Sequence, residues 1–301
     1  MTRHRLVLAV VALLVAISAL VVRNQVKVHR DRQIRANEAR QIEAEQARRM
    51  QAAQARIIRL FEMLQPVALA NCDLERFGEA HDGGYLMCRN LLSGVQSGYS
   101  YGIGGYDKWG CDISTRLKVR LHQYDCFNTA QPACPGGDTV FHAECVDGRS
   151  RTEEGRFFDT IENQFANNGD RAKRIAMKID VEGAEWDSFL SAPDEVLDQI
   201  DQMAVEFHGV QDEHYPAVVQ RLKKFFYIAH IHFNNHACVE GLAPFPTWAY
   251  EVLFVSKRLG VVDPSRSAGG LHPLDALNNP ALSDCQPKIP SSGLPRTTRG
   301  R

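Results

Sequence analysis

The stretch Arg174–Trp186, RIAMKIDVEGAEW, decides the fold. Ile175, Ala176, Met177 and Ile179 form a short apolar run, interrupted only by Lys178, of the kind a buried parallel strand requires. Asp180, Glu182 and Glu185 follow at once with Gly183 among them, and a helical segment comes next. A strand that ends in carboxylates and a glycine is how an open α/β sheet places chemistry at its carboxyl edge. The same residues also suit a capped strand-to-helix turn, because acids favour a helix N-terminus.

Working outward, Tyr99–Gly105 reads as a first strand running into a turn, where Gly102, Gly104 and Gly105 let the backbone approach a ligand closely. Val119–Tyr124 reads as a second strand ending at Asp125, the spacing at which an acid meets the ribose of a nucleotide-type cofactor. Thr139–Cys145 is a third strand, and apolar residues at 157, 158, 161 and 165 predict a helix. Met203–Phe207 is a fifth strand carrying Glu206, with His208 and Gly209 just beyond it. Tyr215–Phe226 has one apolar helical face, and Tyr227–Phe233 and Ala249–Val255 are the last two strands. Seven strands with interleaved helices predict a doubly wound sheet.

KIDVEGAE at 178–185 resembles the signature of FkbM-type S-adenosylmethionine-dependent methyltransferases. HDGGY at 81–85, YSYGIGG at 99–105, AVEFH at 204–208 and YEVLFV at 250–255 extend the resemblance over about residues 72–257. It implies a class I methyltransferase (Rossmann-like) sheet whose last two strands pair antiparallel. It also implies S-adenosylmethionine as cofactor, with Gly102, Gly104, Gly105, Asp125, Asp147 and Asp180 around it. Many members carry an acid just before the first glycine, where this chain has Ser100 and Tyr101; Asp107 and Asp82 are the substitutes at hand. The acceptor implied is a hydroxyl-bearing glycan or small metabolite.

A hydroxyl acceptor needs a base near its proton and an in-line approach to the methyl carbon. His208 has the intrinsic pKa for that base, with Glu206 two residues away and Asp180 as the rival base or the group that orients the acceptor. A metal reading draws on Asp180, Glu182, Glu206 and His208 and on His230, His232 and His236, but the resemblance implies no metal and none is assigned. Two other classes of function stay open: a nicotinamide-dependent oxidoreductase on a similar sheet, and a catalytically silent binding module on a stalk.

Leu6–Val22 carries no charge and predicts a membrane anchor over 1–22, at the short end of the ~17–25 residues a spanning helix uses, with a secretory signal cleaved near Ala16-Ile17-Ser18 as the alternative. Residues 23–65 are rich in Arg, Gln, Ala and Glu without Gly or Pro, which predicts a helical stalk that packs on the domain from Ile57 to Leu64. The catalytic domain is expected over 66–258, and the Pro-, Ser- and Gly-rich 259–301 as a flexible tail. Basic residues after the apolar run would put the domain in the cytoplasm, whereas the eight cysteines, six of them between Cys72 and Cys145 without a CxxC pair, favour disulfides in a secretory lumen. A net charge of −1 gives no reason to expect nucleic acid as a partner.

Overall fold

The structure is a computed structural model that describes residues 2–270 and 272–287, with 2–7 and 9–12 described as backbone only. The chain falls into two units, Met1–Gln54 and Ala55–Arg301. Helix α1 (Thr2–Met63) makes up the first and enters the second. Its last turns, with Leu60 and Leu64 fully buried, belong to the core of the second unit, as the dense apolar spacing from Ile57 to Leu64 predicts.

The expected membrane anchor is not found. Among the described residues no helix is long and apolar enough to cross a membrane.

The second unit opens with a hairpin, β1 (Leu74–Gly78) and β2 (Gly84–Cys88), and continues through β3 (Ser97–Tyr101), α2 (Lys108–Leu117), β4 (Arg120–Tyr124) and β5 (Asp138–His142). Three short strands follow, β6 (Cys145–Val146), β7 (Arg151–Glu153) and β8 (Arg156–Asp159), then α3 (Ile161–Asn167) and β9 (Ile175–Ile179). The remainder is α4 (Glu185–Ser191), α5 (Asp194–Gln199), β10 (Ile200–His208), α6 (Tyr215–Phe225), β11 (Phe226–Phe233) and β12 (Ala249–Ser256). Seven strands form one mixed sheet in the order β11-β12-β10-β9-β3-β4-β5. The pairs from β10 through β9, β3 and β4 to β5 are parallel, and β12 runs antiparallel to both β10 and β11. This is a Rossmann-like α/β sheet built from the seven expected strands.

Side chains alternate across the sheet and so divide the core in two. Ile175, Met177 and Ile179 of β9 face a cluster with Leu60, Phe189, Leu222 and Phe254, while Ala176 faces the other side with Phe77, Tyr85, Trp109 and Leu121. The β1–β2 hairpin and α2 cover that second face. Asp107 caps α2, its Oδ1 accepting from the Gly110 amide at 2.8 Å.

Two expectations are corrected. The helix predicted from Phe157 begins only at Ile161, because Glu154 (φ 50°) and Gly155 (φ 77°) turn the chain back and make 156–159 a strand paired with β7. Residues 259–270 and 272–287, expected to be part of a flexible tail, are fastened to the domain. Val262 pairs with Leu69, the Asn278 side chain donates to Glu251 Oε1 at 2.7 Å, Asn235 and Asn279 bond each other twice, and Cys285 is joined to Cys238. Composition hid this because the tail has no apolar period; it is held by polar partners and a disulfide. Residues 288–301 of the expected tail lie outside the described residues.

All eight cysteines pair, as Cys72–Cys88, Cys111–Cys134, Cys126–Cys145 and Cys238–Cys285. Four disulfides place the second unit in an oxidising environment.

Within the sheet, His122 of β4 lies against Asp170 (3.6 Å), His142 (3.1 Å) and the Tyr99 ring. Burial holds its pKa at about 4, below the usual 6.5, against the opposing pull of Asp170. Between those values the unfolded chain binds a proton at residue 122 that the native state refuses. Stability therefore falls as pH drops from 6.5 to about 4 and levels off below. Urea unfolding at pH 7 and pH 4 should show His122→Gln losing less than the parent chain, by up to about 3 kcal/mol. An identical loss in both would refute the assignment.

Candidate active site at the carboxyl edge of the sheet

Each parallel strand delivers its last residues to one edge, and the chemistry collects there. After β3 the chain turns through Gly102 (φ +70°), Gly104 (φ +58°) and Gly105 (φ +82°). Gly102 is fixed by close approach, since a Cβ there would lie 1.6 Å from the carbonyl oxygen of Asp180 at the end of β9. Gly104 points into open space, and a Cβ at Gly105 would meet the Asn128 side chain at 2.5 Å. Lys178, the one charge in the β9 run, is buried. Its Nζ donates to the carbonyls of Tyr101 (3.2 Å) and Gly102 (2.7 Å) and lies 3.4 Å from Asp180 Oδ2. The lysine thus stitches the ends of β3 and β9 together.

A cavity of about 460 Å³ opens against this turn. Gly102, Gly104, Asp125, Asp180 and Glu182 line it, together with Asp82 of the β1–β2 turn, Asp107, Lys108, Val146 and Glu144. The expected cofactor residues therefore meet here with three qualifications, the first being that Gly105 belongs to the turn but not to the cavity wall. Asp125 is in the wall, but its carboxylate is already occupied: Oδ2 accepts from the amides of Ile103 (3.1 Å) and Gly104 (2.7 Å), Oδ1 from those of Phe127 (2.8 Å) and Asn128 (2.9 Å). Four donors fill the acceptor capacity of a carboxylate, so Asp125 sets the shape of two loops. Asp147 is outside the cavity. It pairs with Arg151 beside a separate cleft with Arg149 and Asp187, while its neighbour Val146 is in the wall. Of the substitutes considered for the acid missing before Gly102, Asp107 is spent on the α2 cap and on Gln123 (2.9 Å), and Asp82 accepts from Asn278 at 3.1 Å. Glu144 was not singled out by the sequence. It makes no hydrogen bond among the described residues, and burial, with the charge of Asp159 adding, raises its pKa.

Beside the cavity stands an imidazole–carboxylate cluster. His208 is the last residue of β10, nine per cent exposed. Its backbone amide donates to Glu185 Oε1 at 2.6 Å, and its Nδ1 lies 3.2 Å from the same oxygen. Since a carboxylate accepts, Nδ1 carries hydrogen and Nε2 is left facing Asp180 Oδ1 (3.8 Å), Glu182 Oε2 (3.5 Å) and Glu206 Oε1 (4.0 Å). Burial works to lower the pKa of His208, but the Glu185 bond and the charges of Glu185, Asp180 and Glu182 outweigh it and raise the value. Glu185 is fully buried and also accepts from the Gly183 amide at 2.9 Å, so one side chain fixes both the turn after Asp180 and the ring. Trp186 Nε1 donates to the His208 carbonyl at 2.8 Å and completes the support.

Glu206 lies behind Asp180, outside the cavity wall. Tyr85 of β2 stands between them, its hydroxyl 3.4 Å from Asp180 Oδ2 and 3.5 Å from Glu206 Oε2. Burial, then the charges of Asp180 and Glu251, raise the Glu206 pKa well above the carboxylate range, and Asn234 donates to it at 2.7 Å. The other candidate metal ligands do not join: His230 pairs with Asp275 at 2.8 Å and His232 with Glu251 at 3.5 Å. Glu185 and Tyr85 are the residues that sequence reasoning left without a role. The first lies inside KIDVEGAE, where it reads as a helix acid, and the second inside HDGGY.

The two glycines make a sharp comparison. Gly102→Ala must push the β3 and β9 ends apart and should cost about 3 kcal/mol or more, whereas Gly104→Ala meets only its backbone penalty of about 1–2 kcal/mol. Urea unfolding of the two variants measures the difference, and equal losses would contradict the close packing. No family model matches the chain, and no curated protein matches it, so the reading of this site rests on its geometry.

Proposed function

We propose that the chain is an S-adenosylmethionine-dependent methyltransferase acting on a hydroxyl group of a glycan or small metabolite. The observation that carries this reading is the charge of the cavity. Six carboxylates (Asp82, Asp107, Asp125, Glu144, Asp180 and Glu182) line it against two lysines, Lys108 and Lys178. A sulfonium cofactor is a cation and is favoured by such walls; the pyrophosphate of a nicotinamide dinucleotide carries negative charge and is not. The volume suits one small cofactor, and the turn that closes it has the glycine conformations a close ligand needs.

In this reading the strand order supports the class I architecture implied by the KIDVEGAE resemblance, including the antiparallel last pair. The acceptor oxygen attacks the methyl carbon in line, the carbon–sulfur bond breaks with its electron pair leaving on sulfur, and the hydroxyl proton is lost. The donor is already activated by its positive charge, so the protein's work lies in orientation and in easing that proton's departure. His208, Asp180 and Glu182 form the group that does so, with the Tyr85 hydroxyl, which stands between Asp180 and Glu206, supporting Asp180 from behind. Asp125 contributes by presenting the Gly104 loop and not by touching ribose.

Equilibrium titration of the full chain with S-adenosylhomocysteine and with NAD tests the cofactor, and binding of the first alone is expected. NAD binding without S-adenosylhomocysteine would return the oxidoreductase reading, and binding of neither would leave a silent module. With an acceptor found by screening, His208→Ala should lower single-turnover methyl transfer by about a hundredfold or more at nearly unchanged S-adenosylhomocysteine affinity. Full activity in that variant would remove His208 from the reacting group.

A further inference from the structure

The ring of His208 has an arrangement that the methyl-transfer reading alone does not demand. Nδ1 is committed to a fully buried carboxylate, Glu185, which is itself pinned by two backbone amides. Nε2 makes no hydrogen bond among the described residues, although the side chain is only nine per cent exposed. It is aimed at two groups that accept and do not donate, Asp180 Oδ1 at 3.8 Å and Glu182 Oε2 at 3.5 Å, with Glu206 Oε1 farther off at 4.0 Å. A lone pair turned toward two carboxylates lacks a positive centre between them. The neighbouring lysine, Lys178, reaches the other oxygen of Asp180.

One ligand atom from each of Asp180, Glu182 and His208 lies within 4.8 Å of the other two. Three points so spaced share a centre at most about 2.8 Å from each, and small side-chain rotations bring that into the ~2.0–2.6 Å range of metal–oxygen and metal–nitrogen bonds. A histidine whose second nitrogen donates to a buried carboxylate is the usual outer support of a metal ligand, because it fixes the tautomer and raises the basicity of the free nitrogen. Glu182 is 81% exposed, which leaves the outward side of such a centre open to water or to an acceptor.

We propose that Asp180, Glu182 and His208 hold a divalent cation of the Mn²⁺ class, with Glu185 as the outer-shell anchor of the ring. Two carboxylates with one imidazole form a hard-to-borderline donor set, suited to Mn²⁺ more than to thiophilic ions. The cation's use rests on the methyltransferase reading: an acceptor hydroxyl bound at the open side becomes more acidic by coordination and loses its proton to solvent water on that side, while Nε2 serves as ligand instead of taking the proton itself. The site's existence does not rest on that reading.

The test uses the full chain, stripped with a chelator and titrated with Mn²⁺ while electron paramagnetic resonance reports the free ion. One bound equivalent is expected. Glu182→Gln, an exposed and nearly isosteric change that leaves the fold intact, should weaken binding at least tenfold, and Glu185→Gln should weaken it about ten- to a hundredfold without touching the ion. No bound equivalent in the parent chain, or equal affinity in parent and Glu182→Gln, overturns the proposal. S-adenosylhomocysteine titration of the same samples separates the two claims. Mn²⁺ binding without S-adenosylhomocysteine binding sustains the cation site and removes its proposed use. The reverse removes the cation site and leaves the cofactor reading standing.

Discussion

The missing side chain at residue 102 is the constraint on which the site depends. Because Gly102 can lie against the Asp180 carbonyl, the carboxyl ends of β3 and β9 close to hydrogen-bond distance, and the Asp180 amide donates to the Tyr101 carbonyl at 3.2 Å. Lys178 then finds two backbone oxygens within reach, which is how a buried ammonium is tolerated in an otherwise apolar strand. The same amine holds one oxygen of Asp180 and leaves the other turned toward His208. A glycine, a lysine and an aspartate in two neighbouring strands thus decide where the acidic edge points.

The sheet's alternation explains why polar groups gather on one side of that edge. On β10, Met203, Val205 and Phe207 enter the larger apolar cluster, while Ala204 joins the opposite face with Tyr85. Glu206 and His208 continue that second face, so a buried acid, a tyrosine and an imidazole follow from strand period alone. Their burial costs less because each has a partner: Asn234 for Glu206, Glu185 for His208, and Asp180 and Glu206 for the Tyr85 hydroxyl.

All seven strands of the sheet were legible because apolar and aromatic residues recur in short segments bounded by turn residues, as a plain apolar run in β9 and more sparsely in β4 (RLHQY), and the collection of Gly102, Asp180 and His208 at one edge followed from where those segments end. The β1–β2 hairpin was not legible. β1 is mostly half-buried and reads LERFG, with neither a long apolar run nor clean alternation. Asp125 shows how a position is read correctly and its role is not: spacing after Gly102 finds the acid at the strand end, but only coordinates reveal four amides already on its oxygens. Glu185 fails for a related reason, since a helix N-terminal acid and a histidine's anchor are the same letter. Nothing local to Glu185 announces residue 208, and only the parallel pairing of β9 with β10 brings them together.

The far wall of the cavity is held differently from the near one. Between β4 and α3 the chain forms short strands and loops with few buried apolar residues, and Phe127 and Phe157 lie exposed. Hydrophobic burial supplies little order there, and two disulfides take its place. Cys126–Cys145 joins two residues of the cavity wall across a separation of 19, and Cys111–Cys134 ties α2 to the loop before β5 across 23. Closing loops of that size removes roughly 3 kcal/mol of unfolded-state entropy each in the chain-entropy view. That is comparable to burying one large apolar side chain, which these segments lack. The near wall is fixed by sheet packing and a buried lysine, and the far wall by covalent links that an oxidising environment must supply. The cavity exists because the two are joined through Asp125, whose carboxylate grips the glycine turn of one and the Phe127 loop of the other.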